Sequence, residues 1–128
     1  MKIAVVCANG KEGQLITKEA VKRGFDVTAV VRGENKSEAT KAIVKDLFDL
    51  TKEDLSGFDA VVDACGAWTP ETLDAIPNAV KKLCELLNGT DTRLLIVGGA
   101  GSLYVNKEHT LTVADGKDFP DAFKPLAA

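Results

Sequence analysis

Apolar residues in this chain come as short unbroken runs separated by stretches of helical spacing. Ile3 to Cys7 is one such run, and its lack of alternation predicts a strand buried on both faces, as parallel sheets require. Residues 11–24 suit a helix with Ile16 and Ala20 facing inward and Lys18, Glu19, Lys22 and Arg23 facing water. Gly24 stands where a helix end favours a left-handed residue. Val27 to Val31 predicts a second strand and Ala42 to Lys45 a short third, with at most one helical turn at Ser37-Glu38-Ala39-Thr40 between them. Thr51-Lys52-Glu53-Asp54 resembles a helix start that Gly57 cuts short.

Phe58 to Ala64 predicts a fourth strand and Arg93 to Val97 a fifth. Between them residues 71–88 form the clearest helix, with Leu73, Ile76, Val80, Leu83, Cys84 and Leu87 at helical spacing and Asn88-Gly89 ending it. Pro77 lies inside that span, so the helix kinks there or starts just after it. Strands alternating with helices predict an α/β fold, a Rossmann-like doubly wound parallel sheet. Right-handed crossovers then favour the strand order 3-2-1-4-5. Past Val97 the pattern thins to a Gly98–Ser102 turn and a small strand at Leu111-Thr112-Val113. The last residues, Pro125-Leu126-Ala127-Ala128, read like the start of a helix, with proline at its first position. The expectation is of a single domain over 1–128 that forms the amino-terminal part of a longer chain; a naturally short domain is the alternative.

Composition narrows the partners. A length of 128 residues, 45% hydrophobic and 27% charged, fits one ordinary folded domain with one core. The net charge of -3 offers no basic footprint for nucleic acid, and no apolar run approaches the roughly 18 residues of a membrane span. Cys7, Cys65 and Cys84 are odd in number and never spaced as CxxC, so the expectation is of reduced thiols packed in a cytoplasmic core. Cys7 and Cys65 end neighbouring strands, and a redox role for them is the lesser reading.

The chemistry concentrates at the first strand-to-helix junction. A phosphate cradle needs a sharp exit from the strand, backbone amides close to phosphate oxygens, and tight packing of helix on strand. Gly10 and Gly13 stand where the last two needs arise, whereas Cys7 stands where such turns usually begin with glycine. About 20 residues past the glycines, folds that prefer NAD place an acid; here the count arrives at Arg32. A guanidinium suits a 2′-phosphate through paired charge-assisted bonds, so NADP is favoured, with NAD the alternative.

Ala8-Asn9-Gly10-Lys11-x-Gly13, Val30-Val31-Arg32, Asp46-Leu47-Phe48-Asp49, Phe58-Asp59-Ala60-Val61-Val62, Gly66-Ala67-Trp68 and Val97-Gly98-Gly99-Ala100-Gly101-Ser102-Leu103 follow one another in that order. Together they resemble the NAD(P)-binding atypical short-chain dehydrogenase/reductase proteins, nearest the NmrA-like and NADH-flavin reductase branch, some members of which carry a saccharopine-dehydrogenase-related label. The resemblance implies that Asn9, Gly10, Lys11 and Gly13 line the pyrophosphate turn, Arg32 the adenosine phosphate, and Asp46 and Leu47 the adenine. It implies that Ala64, Gly66 and Trp68 flank the nicotinamide-side ribose and that Gly98, Gly99 and Ser102 approach the nicotinamide. Cys7 at the family's first glycine position is the departure.

For activity, the resemblance implies an oxidoreductase that passes hydride from NAD(P)H to a flavin, quinone or other small acceptor. The alternative is a non-catalytic NAD(P)-sensing module of the NmrA type, signalling to a protein partner. Short-chain reductases polarise a carbonyl with a tyrosine assisted by a lysine four residues on. Here Lys107 follows Tyr104 by three, so that pattern is absent. Ser102 and Tyr104 remain the candidate catalytic hydrogen-bond donors. Flavin or quinone reduction demands positioning more than acid catalysis and therefore fits better than alcohol dehydrogenation. His109 lies in a polar loop and reads as a surface residue with no metal site around it. Asp63, in an apolar strand, must find a hydrogen-bond donor or face the crevice. Partners are thus a small acceptor, with neither nucleic acid nor membrane, and self-association into a homo-oligomer is compatible with the sequence.

Overall fold

The computed structural model describes residues 1–66, 74–98 and 103–117. Five parallel strands form one sheet: β1 (Lys2–Val6), β2 (Asp26–Val31), β3 (Lys41–Val44), β4 (Ala60–Asp63) and β5 (Arg93–Ile96), in the spatial order β3-β2-β1-β4-β5. This is the Rossmann-like doubly wound order expected from the pattern. β1 pairs with β2 from Lys2↔Asp26 to Val6↔Val30 and with β4 from Ile3↔Ala60 to Val6↔Asp63.

Helix α1 (Lys11–Lys22) covers one face and α2 (Ala75–Leu87) the other. Alternate residues of β1 serve the two faces: Ile3 and Val5 join Ala20, Val27, Ala29 and Val31, whereas Ala4 and Val6 join Val30, Val61, Ala79, Leu83 and Leu87. That division explains why β1 is apolar without alternation. α1 ends in a Schellman turn: the Gly24 amide donates to Val21 O and the Phe25 amide to Ala20 O, with Gly24 left-handed at φ 81°. The buried residues of α1 are Gly13, Thr17 and Ala20, with Ile16 half-buried.

Several details differ from the sequence reading. α2 begins at Ala75, two residues before Pro77, rather than just after it. Proline is tolerated because the first amides of a helix have no intrahelical acceptor to lose. The segment at 71–73 lies outside the described residues. The β2–β3 link contains bends and no helical turn, and Thr51–Gly57 is a run of turns in which the Thr51 amide donates to Asp54 Oδ2. A 3₁₀ turn at Leu47–Asp49, capped by Asp46 accepting from the Phe48 amide, was not anticipated. Leu111-Thr112-Val113 is reduced to one antiparallel bridge, Tyr104↔Thr112, followed by a 3₁₀ turn at Val113–Asp115.

The cysteines contradict the expectation of reduced core thiols. Cys7 and Cys65 form a disulfide with Cα atoms 5.1 Å apart, and Cys84 is a free thiol on the exposed side of α2. The buried stripe of α2 runs through Ala79, Leu83 and Leu87, and Cys84 sits one position round the helix from it.

Candidate functional site

Because all five strands run the same way, every segment that leaves a strand end emerges at one edge of the sheet. Residues 7–13, 32–39, 45–50, 64–66 and 97–98 meet there. Between β1 and β4 the chain changes direction across the sheet, since β2 and β3 extend to one side and β5 to the other. A crevice opens at such a switch point.

The β1–α1 turn is built from backbone contacts. The Cys7 and Ala8 amides donate to Val30 O at 3.1 and 3.4 Å, and the Gly10 amide donates to Cys7 O at 3.1 Å. Gly10 is the N-cap of α1 and supplies no side-chain acceptor, so no side-chain cap satisfies the leading amides of α1. The two glycines have different reasons to be glycine. A Cβ at Gly13 would sit 2.7 Å from Ala8 Cα and 3.0 Å from Ala8 C, and closer still to Cys7 O, so the helix can lie this near the turn only with no side chain there. A Cβ at Gly10 would meet nothing nearer than Cys7 O at 3.5 Å, an ordinary contact, and its φ of -70° suits any residue. The fold requires glycine at 13 and not at 10.

Cys7 itself has φ 62°, the left-handed conformation that glycine adopts freely and other residues adopt at a cost of about 1–2 kcal/mol. The chain therefore turns as sharply as a glycine-initiated cradle would, with a cysteine in glycine's backbone conformation. The strand expected over Ile3 to Cys7 ends at Val6, and residue 7 makes the turn.

Asn9 ties this turn to the segment after β2. Its Nδ2 donates to Glu34 O and its Oδ1 accepts from the Lys36 amide, both at 2.7 Å, while Gln14 Nε2 donates to Asn9 O. The side chain of Asn9 is thus engaged by the loop and its carbonyl by Gln14. This clamp was not read from the sequence, because its acceptor and donor are backbone groups with no sequence signature. Arg32, one residue past β2, and Lys11, at the first position of α1, are both exposed and make no ion pair among the described residues.

Further along the edge, Asp46 caps the 3₁₀ turn through its side chain and Leu47 is buried against the α2 face, while Phe48 is exposed. After β4, Ala64 is buried, Cys65 half-buried and Gly66 exposed. Asp63 is buried at 3% exposure, and its Oδ1 accepts from the Cys65 amide at 3.0 Å. It thereby satisfies the expectation of a hydrogen-bond donor. Burial raises its pKa above the ordinary carboxylate value, and the Cys65 amide opposes that shift. Gly98 is exposed past β5, with open space where a Cβ would point. Trp68, Gly99 and Ser102 lie outside the described residues.

Tyr104 stands apart in chemistry as well as sequence. Its ring is exposed and stacked on His109 with centroids 4.6 Å apart, in the loop that the Val105–Leu111 and Val113–Leu103 backbone bonds close. His109 is exposed and left-handed at φ 57°. Among the described residues no group of His, Cys, Asp and Glu side chains could hold a metal, and no helix is long and apolar enough to cross a membrane. A cavity lined by Leu55, Phe58, Leu87 and Thr92 lies at the opposite edge, where β4 and β5 begin, away from the carboxyl ends of the strands.

The disulfide is the main correction, because Cys7 and Cys65 at the ends of neighbouring strands carried only the lesser reading. The signal was present: cysteines one and two residues past the ends of strands that the order 3-2-1-4-5 makes neighbours. Irregular spacing along the chain argued against pairing, but proximity across a parallel sheet does not depend on that spacing.

Comparisons with known proteins agree with this geometry. A family model described as NAD(P)H-binding matches residues 7–125. YwnB of Bacillus subtilis is 46% identical over 131 residues, covering 100% of this chain and 61% of its own length. A crystal structure of a proposed NADH-flavin reductase from Streptococcus pneumoniae is 57% identical, with a TM-score of 0.94, covering 99% of this chain and 60% of that one. A short-chain dehydrogenase/reductase superfamily protein from Agrobacterium tumefaciens, solved with bound NAD, shares the fold at a TM-score of 0.65 and 16% identity. The chain thus spans about 60% of the length of the first two relatives. Its sheet order, its glycine-dependent turn and these matches together show that the chain belongs to the NAD(P)H-binding family.

Proposed function

We propose that this chain binds a nicotinamide dinucleotide across its carboxyl edge and serves an oxidoreductase that reduces a flavin, quinone or other small acceptor. The observation that carries the reading is Gly10. Beyond a modest N-cap preference, the fold has room for a side chain there and no backbone strain to relieve, so its glycine is best explained by the close approach of a ligand to the amides that open α1. Gly13 and the left-handed residue 7 supply the tight packing and sharp bend that such a cradle needs.

Within this reading, the backbone of residues 9–13 holds the pyrophosphate, with Lys11 adding positive charge. Arg32 meets the 2′-phosphate of NADP as a bidentate donor, and with a bare ribose it has no such partner. The Asp46–Leu47 turn borders the adenine, and Ala64, Gly66 and Gly98 border the nicotinamide half. Trp68, Gly99 and Ser102 complete that half in the proposal. The bound cofactor supplies the hydride. The protein's own task is to orient donor and acceptor rings and exclude water, which accords with the lack of a tyrosine–lysine pair four residues apart. The name carried by the Streptococcus pneumoniae relative supports a flavin as acceptor.

The test is oxidation of NADPH and NADH followed at the nicotinamide absorbance, with flavin mononucleotide or a soluble quinone as acceptor. NADPH turnover is expected to exceed NADH turnover. Arg32→Ala is expected to raise the KM for NADPH roughly tenfold or more while changing that for NADH little, as loss of a charge-assisted bidentate contact implies. No oxidation with either acceptor, alongside tight dinucleotide binding, would favour a sensing role.

A further inference from the structure

We propose that Cys7 and Cys65 are a reversible redox-modification site, exchanging with low-molecular-weight thiols, and that the disulfide state holds the β1–α1 turn in its dinucleotide-binding form. The proposal rests on the dinucleotide reading above for its ligand and on the pair's own geometry for its chemistry.

Cys7 is the first residue past β1 and Cys65 the second past β4, on either side of the switch point. Beside the cross-link, the Ala64 amide donates to Val6 O at 3.2 Å, and the Cys65 amide is held by Asp63 Oδ1. Cys65 is therefore a fixed post. Cys7 is the member under strain. Its carbonyl accepts from Gly10 and abuts Gly13, so the shape of the whole turn follows from the backbone of residue 7. That backbone has φ 62°, which a cysteine does not favour. A covalent tie to the fixed post supplies what glycine supplies by having no side chain: it keeps residue 7 left-handed. Once the tie is cut, the residue is free to relax, and the turn with it.

Both cysteines are half-buried at the edge of the sheet, within reach of a small thiolate. The thiolate attacks one sulfur of the Cys7–Cys65 bond, forming a mixed disulfide and releasing the other cysteine as a thiolate that takes a proton. A second small thiol attacks the mixed disulfide and releases the remaining cysteine. Two small thiols become one small disulfide, and the protein gains two thiols. The reverse sequence, driven by the small disulfide, closes the bond. A disulfide in a reducing compartment is usually of this reversible kind.

The experiment uses the chain carrying Cys84→Ser, which removes the exposed third thiol. It is equilibrated with oxidised or reduced glutathione, denatured, alkylated with N-ethylmaleimide and weighed, and in parallel titrated calorimetrically with NADPH. Oxidised samples are expected to take up no alkyl group and reduced samples two. Reduction is expected to weaken NADPH binding several-fold, to roughly tenfold, the scale of the conformational cost at residue 7. Cys65→Ser should bind as weakly as the reduced protein in both buffers. Cys7→Gly, which also lacks the bond, should bind alike in both buffers and more tightly than Cys65→Ser, because glycine takes the left-handed conformation unaided.

Two alkyl groups after oxidation, equal affinity in the two redox states, or a Cys7→Gly protein as weak as Cys65→Ser would each overturn the proposal. Equal and tight binding throughout leaves the dinucleotide reading standing without the switch. If no state or variant binds either NADPH or NADH, the dinucleotide reading falls and the switch with it.

Discussion

Single residues carry most of the functional case, and three of them make separable predictions. Gly13 is glycine because a Cβ would strike the backbone of Cys7 and Ala8, which cannot swing aside as a side-chain tip can. Gly13→Ala is expected to lower stability by about 2 kcal/mol or more, on the scale of overpacking a rigid site, as read by urea denaturation. Gly10→Ala adds only an ordinary contact and is expected to cost about 1 kcal/mol or less, the loss of a favourable N-cap. Asp63 is the third. Burial raises its folded pKa above its unfolded value, so between those values the native state binds more protons than the unfolded state. Its contribution to stability is therefore present at acid pH and is lost as pH rises through that window. Asp63→Asn retains an acceptor for the Cys65 amide and is expected to flatten this slope, with a higher urea midpoint near neutral pH than the parent.

At the scale of elements, the strands, the two helices and their order were legible because each rule that fixes them is local. Unbroken apolar runs mark doubly covered strands, helical spacing marks α1 and α2, and the crossover rule orders the sheet. Features that join distant segments through backbone atoms were not legible. The Asn9 clamp on Glu34 and Lys36 and the 3₁₀ turn at Leu47–Asp49 belong to this class. At Cys84 the periodicity was read one position too wide, because an exposed residue beside a buried stripe has nearly the same spacing as one within it. Of the candidate site, motif spacing located the tight turn at Gly13, and the neighbouring strand ends brought Cys7 and Cys65 together only as the lesser reading. That bond closes a loop of sequence separation 58. By the chain-entropy account, reducing it is expected to lower stability by about 2–4 kcal/mol, visible as a fall in thermal midpoint when a reductant is added to the Cys84→Ser protein.

At the scale of the whole molecule, the segments after the strands gather at one edge of the sheet, and β5 at its flank is the least covered strand of the sheet's β1–β4–β5 side among the described residues. Leu95, Ile96 and Val97 remain 43–47% exposed, whereas Ile3, Ala4, Val5 and Val6 of β1 in the middle of the sheet are almost completely covered. The chain spans about 60% of its relatives' length, and the part it contains includes the first-helix turn, Arg32 and the switch point. Dinucleotide binding and turnover are therefore tested separately, the first at the carboxyl edge of this sheet. The central claim is that the amides opening α1 hold a pyrophosphate because position 10 lacks a side chain. It is tested most directly by calorimetric titration of NADPH and NADH into the oxidised chain and its Gly10→Val variant, with circular dichroism confirming that the variant is folded. The account predicts one dinucleotide per chain, NADPH tighter than NADH, and a loss of at least roughly tenfold in affinity for both in the variant. Unchanged affinity in a folded Gly10→Val protein would contradict it.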